Sequence, residues 1–150
     1  MKSELSRYTQ FEIWCQKCAK ALGIKGKIFL DSVSGDASFR SYYRFDSGAS
    51  SYVAVNSPPD KEKNTEFVAL AKLMGSGGVK VPDVKYFDEA MGFMLLEDFG
   101  DTLLLPNLTN ETAADYYQQV VATLLNIQQL PYADGQQFSL ATYDAQILNT

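Results

Sequence analysis

The sequence predicts an α+β fold, and three features of its patterning carry that expectation. Helical spacing of apolar residues opens the chain, a run of short strand-like segments joined by turn residues follows, and helical spacing returns in the last third. Leu5, Tyr8, Phe11, Cys15, Cys18 and Leu22 recur at intervals of three and four, which lays an apolar stripe along a helix over residues 4–22. Lys17 and Lys20 suit the negative end of its dipole, and Gly23 is a natural stop.

The period then changes to that of strands. Residues 27–33 and the aromatic-rich 39–45 read as two strands, separated by turn chemistry at 34–38. A second turn at 46–50 leads to a third strand over 51–56, so the three form an antiparallel meander. Residues 57–60 lead into a helix whose buried face is marked by Phe67, Leu70, Ala71 and Met74, and glycines within 75–78 end it. A connector at 79–82 holds Pro82, which a central strand excludes. A hairpin follows, 83–88 with 92–97, turning at 89–91. After the acidic run 98–101 the character becomes helical. Thr109 or Asn110 caps a helix carrying Tyr117, Val120, Val121, Leu124 and Leu125, which Pro131 stops. Residues 139–150 read as a further amphipathic helix, its Leu140, Tyr143, Ile147 and Leu148 in need of a partner surface.

A chain of 150 residues suits one domain, or one lobe and the start of another. Its 46% hydrophobic and 21% charged residues are ordinary for a folded protein, and a net charge of -5 without a basic stripe excludes a general nucleic-acid binder. No apolar run approaches the ~20 residues that span a bilayer. Residues 1–10 hold no apolar signal core, so a cytoplasmic protein is expected. There is no histidine. This excludes a Ser-His-Asp triad, a Cys-His dyad and histidine-liganded zinc within the chain. Cys15 and Cys18 form a lone C-x-x-C on the apolar face of the first helix, where free thiols pack as small hydrophobes.

The stretch Ser34, Gly35, Asp36, Ala37, Ser38, Phe39, Arg40 has two readings. It is a loop whose amides, hydroxyls and guanidinium approach phosphates, or it is a hairpin turn of the kind Gly, Asp and Ser make anyway. It is not a P-loop, because the G-x-x-x-x-G-K-[ST] spacing is missing. The stretch 93–101 runs from large apolar residues into an acidic connector, Glu97, Asp98, Phe99, Gly100, Asp101, either a recognition hinge or a charged strand end.

Together, the runs Gly35–Arg40, 56–59, 81–82 and 92–101, in this order of elements, resemble the aminoglycoside phosphotransferase superfamily. Within it, they resemble the bacterial kinases that phosphorylate the anomeric hydroxyl of N-acetylmuramate and N-acetylglucosamine in peptidoglycan recycling. The resemblance implies a protein-kinase-like N-lobe. That lobe is a five-stranded antiparallel sheet with a kinase-type helix and an extra N-terminal helix, over 1–101 with a hinge at 96–101. The first helices of an incomplete C-lobe would follow over 102–150. It implies an ATP-dependent phosphotransferase that uses ATP and Mg2+ on a small-molecule sugar, with the missing C-lobe as partner and no nucleic acid or membrane.

By the same resemblance, Ser34, Gly35, Asp36, Ala37, Ser38 and Phe39 form a nucleotide-positioning loop, and Arg40 or Arg44 reaches a phosphate. Glu66 matches the helix glutamate that holds a phosphate-binding lysine. The Leu96 carbonyl and the Asp98 amide face the adenine edge, and Val53, Ala54 and Leu95 wall its pocket. Asn56 stands where the broader family has that lysine. The catalytic His-Gly-Asp motif and the metal ligands are expected in the C-lobe, so no catalytic or metal-binding residue is assigned within these residues, and the chain alone is expected to be inactive. The alternatives are a non-catalytic kinase-like module that binds nucleotide or protein, or the same superfamily acting on an aminoglycoside, choline or homoserine.

Overall fold

The structure, a computed structural model, describes residues 6–33, 38–48 and 50–131. The expected loop residues Ser34, Gly35, Asp36 and Ala37 and the helix expected at 139–150 lie outside the described residues.

Helix α1 spans Arg7–Ala21. The Ser6 hydroxyl accepts the Thr9 amide at its start, satisfying a donor that the helix leaves unpaired. At its end the Gly23 amide reaches the Lys20 carbonyl and the Ile24 amide reaches the Ala19 carbonyl. That closure places Gly23 at φ 81°, which is why glycine ends the helix where the sequence indicated.

Five strands follow: β1 (Asp31–Val33), β2 (Ser41–Asp46), β3 (Ser51–Asn56), β4 (Val84–Asp88) and β5 (Phe93–Glu97). They form one antiparallel sheet in the order β1-β2-β3-β5-β4. Helix α2 (Asn64–Ser76) joins β3 to β4, and α3 (Ala113–Gln128) follows a short 3-10 turn, Leu105–Asn107, that the sequence did not suggest. The expected α+β class and five-stranded antiparallel sheet are therefore present, with an extra helix before it.

Differences at element ends have local causes. The first strand begins at Asp31 rather than 27, because Gln16 of α1 captures the preceding segment. Its Nε2 donates to the Gly26 carbonyl and its Oε1 accepts the Ile28 amide, leaving those groups nothing to give a neighbouring strand. The second strand begins at Ser41 rather than 39, because the Phe39 amide donates to Glu62 and the Arg40 amide to the Ser38 hydroxyl. Neither Thr109 nor Asn110 caps α3. Thr109 Oγ1 instead accepts the Glu111 and Thr112 amides, closing a turn one step earlier, and Thr112 becomes the cap position.

Each face of the sheet carries one helix. Alternate residues along β3 and β5 separate cleanly, because side chains on a strand point to opposite sides with a period of two. Ala54, Phe93 and Leu95 pack with Phe45 against Phe11, Cys15, Cys18 and Ala19 of α1. Val55, Met94 and Leu96, with Val53 at the margin, pack against Val68 and Phe67 of α2. The expected face of α2 is thus rotated: Val68 is its deepest apolar residue, and Leu70, Ala71 and Met74 are half-buried.

Cys15 and Cys18 are free and buried in the first cluster, as the helical spacing indicated. Burial pushes the Cys15 thiol far up and that of Cys18 to about 11, so neither is a thiolate near neutrality. Arg7 binds α1 to the sheet. Its Nε donates to Asn56 Oδ1 at 2.9 Å, its Nη2 to the Met91 carbonyl at 2.6 Å, and its guanidinium lies over the Phe93 ring.

Candidate functional site

The candidate site lies on the α2 face of the sheet, where all the polar side chains singled out in β2 and its approach point. Arg40 precedes β2 and its guanidinium sits 5.0 Å over the Phe67 ring of α2. Its Nε donates to Ser57 Oγ at 3.3 Å, and its Nη2 pairs with Glu62 at 3.2 Å. The Ser38 hydroxyl and the Phe39 amide donate to the other oxygen of the same carboxylate, each at 3.1 Å. Ser57 is fully buried, donates to Asn64 Oδ1, and receives Asn64 Nδ2 on its own carbonyl at 3.0 Å. Three donors around one carboxylate, braced from behind by a buried pair, make a fixed polar corner.

Arg44 is held differently. Its Nε and Nη2 donate to the two oxygens of Asp98 at 2.6 and 3.0 Å, and its Nη1 and Nη2 to those of Asp101 at 2.6 and 2.9 Å. Asp98 also accepts the Ser51 hydroxyl and the Gly100 amide, and its side chain is only 3% exposed. The connector after β5 is thereby latched to β2 and β3. Arg44 is the main reason the Asp98 carboxyl falls to about 2, while the paired carboxylates raise the Arg44 guanidinium.

The sign of this effect gives a pH prediction. A carboxyl whose folded pKa lies below its ordinary value adds stability that is present above about pH 4 and is lost as pH falls toward about 2. Urea midpoints measured from pH 5 to 2 are expected to fall less steeply for Asp98→Asn than for the unaltered chain. Parallel curves would mean that Asp98 contributes no pH dependence.

Asn56 does not point toward α2: it is bonded to Arg7 on the α1 face. The β3 residue that faces α2 there is Val55, fully buried among apolar neighbours. Glu66 lies half-exposed in the first turn of α2 and makes no hydrogen bond or ion pair with a described residue. Val53 and Ala54 point to opposite sides of the sheet, paired with Leu96 and Leu95 respectively. Among the described residues, Val53, Ala54 and Leu95 do not wall one pocket together. Ala54 and Leu95 are fully buried under α1, and the α2 face offers Val53 beside Leu96.

Comparison with known proteins bears on this arrangement. The family model described as "Phosphotransferase enzyme family" matches residues 30–148, most of the chain. The chain belongs to the phosphotransferase enzyme family. Among curated relatives, N-acetylmuramate/N-acetylglucosamine kinase of Pseudomonas aeruginosa is 31% identical over 97% of this chain and 44% of the relative. The enzyme of the same name from Pseudomonas putida is 35% identical over 68% of the chain and 30% of the relative. That from Caulobacter vibrioides is 30% identical over 83% of the chain and 44% of the relative. The chain therefore spans less than half the length of each of these relatives.

In this chain, sequence reasoning found Arg40, Arg44 and Asp98 but not the residues that hold them. Glu62 sits in the charged run Asp60, Lys61, Glu62, Lys63, which reads as a solvated segment. Ser57 and Asn64 carry no spacing signal, since their contact depends on how the loop between β3 and α2 folds back. Asp101, read only as part of the acidic connector, is latched to Arg44 and holds that connector to β2. No helix among the described residues is long and apolar enough to cross a membrane.

Proposed function

We propose that this chain is the nucleotide-binding lobe of an ATP-dependent phosphotransferase whose acceptor is an amino sugar, N-acetylmuramate or N-acetylglucosamine. The observation that carries the reading is the α2 face of the sheet, which sets a braced guanidinium at Arg40 on the same side as the apolar pair Val53 and Leu96. A purine needs an apolar wall and a strand-end backbone, and a polyphosphate needs an aimed cation with amide and hydroxyl donors. The lobe is residues 1–101. Its connector, 96–101, supplies the Leu96 carbonyl and the Asp98 amide to the adenine edge, and Ser34, Gly35, Asp36, Ala37, Ser38 and Phe39 close over the phosphates.

The described residues do not fit the role of magnesium ligands. Asp98 and Asp101 are both engaged by Arg44, and no group of three or more His, Cys, Asp or Glu stands together among the described residues. On this reading a helical remainder that residues 102–150 begin would supply the metal ligands and the base. The stripe of Tyr117, Val120, Val121, Leu124 and Leu125 on α3, exposed throughout, is the surface such a remainder would cover. The acceptor assignment rests on the names of the relatives, and the work takes place in the cytoplasm, in recycling of cell-wall sugars.

The test compares residues 1–150 with a protein extended to the full length of the relatives, using labelled ATP and each amino sugar. The longer protein is expected to phosphorylate N-acetylmuramate and N-acetylglucosamine, and the 150-residue chain to show no turnover. Magnesium-dependent phosphorylation by the short chain would sink the division of labour. ATP binding without transfer to any sugar by the long protein would favour a non-catalytic module.

A further inference from the structure

The two guanidinium groups on the α2 face differ in what they have left to give. Arg44 has all three nitrogens committed to two carboxylates. Arg40 has one carboxylate, which it shares with the Ser38 hydroxyl and the Phe39 amide, and its Nη1 has no hydrogen-bond partner among the described residues. Arg40 is also fixed from three elements. Glu62 and Ser57 hold it from the loop before α2, Phe67 lies under it from α2, and Ser38 accepts its amide. A guanidinium gripped along one edge presents the other edge in a set direction, so little rotamer freedom remains to be lost when an anion arrives.

Resting on the reading of this chain as a nucleotide-binding lobe, we infer that Glu62 is the carboxylate that positions Arg40 against the nucleotide phosphates, and that Glu66 takes no part. In a kinase-like lobe the pairing is between a β3 cation and a carboxylate on the following helix. Here the β3 residue facing α2 is the buried Val55, so a carboxylate at Glu66 meets no cation among the described residues. The cation is instead displaced to the approach of β2, and its carboxylate to the loop two residues before α2. Glu62 is a positioning residue: it acts on the phosphates through Arg40. The same carboxylate gathers the Ser38 hydroxyl and the Phe39 amide, so it orders the last residues of the phosphate-facing turn as well as the cation.

The experiment is titration calorimetry on the full-length protein with ATP, ADP and adenosine, for the unaltered form and for Glu62→Gln, Glu66→Gln and Arg40→Gln. Adenosine has no phosphate, so it reports the fold and the base pocket separately from the phosphate contacts. Charged hydrogen bonds of this kind are worth about tenfold or more in affinity. Glu62→Gln and Arg40→Gln are each expected to weaken ATP by about that factor while adenosine binding is unchanged, and Glu66→Gln to stay within about twofold for all three ligands. ATP affinity unchanged in Glu62→Gln overturns the inference. So does tighter ATP binding, which would make Glu62 an occupant of the phosphate seat. An equal loss in Glu66→Gln overturns it too. If the unaltered protein binds neither ATP nor adenosine, the nucleotide-lobe reading fails and this inference with it. Normal ATP binding with indifferent variants sinks the inference alone.

Discussion

Phe11→Ala is expected to lower the unfolding free energy by about 3–5 kcal/mol, the range for deleting a large aromatic side chain from a packed core. Phe11 is fully buried at the centre of the α1 face. Its ring meets Phe93 edge-on at 5.1 Å, Tyr43 at 5.5 Å and Trp14 at 6.4 Å, so truncation removes contacts to β5, β2 and its own helix together. These neighbours are rings fixed by the sheet, and a sheet cannot collapse into the void as a loop could. The loss should register as a lower urea midpoint. Because α1 is the only helix on that face among the described residues, the near-ultraviolet signal of Trp14 should also change before the sheet unfolds, if the helix loosens separately. A midpoint within about 1 kcal/mol of the unaltered chain would show that α1 is not integral to the core.

The second large effect is expected at Gly92→Ala, with a destabilisation of about 2–5 kcal/mol, the sum of a left-handed backbone penalty and overpacking against fixed atoms. Gly92 has φ 64°, and a methyl group there would collide with the Ser57 carbonyl oxygen and lie 2.8 Å from Asn64 Nδ2 and 3.0 Å from Pro59. The Ser57 carbonyl cannot move aside cheaply, because it receives the Asn64 side chain and the Ser57 amide donates to the Gly92 carbonyl. Gly23→Ala is the control. Its φ of 81° carries the same backbone penalty, yet nothing lies within 4 Å of the added carbon, so a loss of only about 1–2 kcal/mol is expected. Equal losses at the two positions would mean that the loop before α2 yields freely. On the proposed nucleotide-lobe reading, a larger loss at Gly92 should reach ATP binding as well, since Ser57 also supports Arg40.

Much of the fold was legible because its signals are local. The spacing of Phe11, Cys15 and Cys18 marks one helix face, and Gly23 and the glycines at 75–78 mark both helix ends. The third strand was read to the residue because strong β-formers are bounded by turn residues on both sides. The candidate site was legible only in part, because its geometry comes from contacts between segments far apart in the chain. Arg40 and Arg44 stand four residues apart on one strand approach, with the same charge and the same face. Nothing in the sequence says that one meets a single shared carboxylate and the other meets two. The direction of the Asn56 side chain was illegible for a simpler reason. Counting along β3 to a family position fixed the residue but not the face, and with a period of two a shift of one reverses the direction of every side chain. Val55, not Asn56, looks toward α2.

The contacts that anchor α1 have a consequence for how the chain is made. Arg7 is fixed by the carbonyl of Met91, 84 residues downstream, and Phe11 packs on Phe93. At a synthesis rate of about 5–20 residues per second, the partners of the first helix leave the ribosome roughly 4–17 s after the helix itself. Throughout that interval Phe11, Cys15 and Cys18 face solvent or a chaperone, and β3 waits with one edge bare for β5 to slide between it and β4. Helix α1 is therefore made well before the strand that encloses it, and newborn chains interrupted before residue 93 present both an apolar helix and an open strand edge to their neighbours.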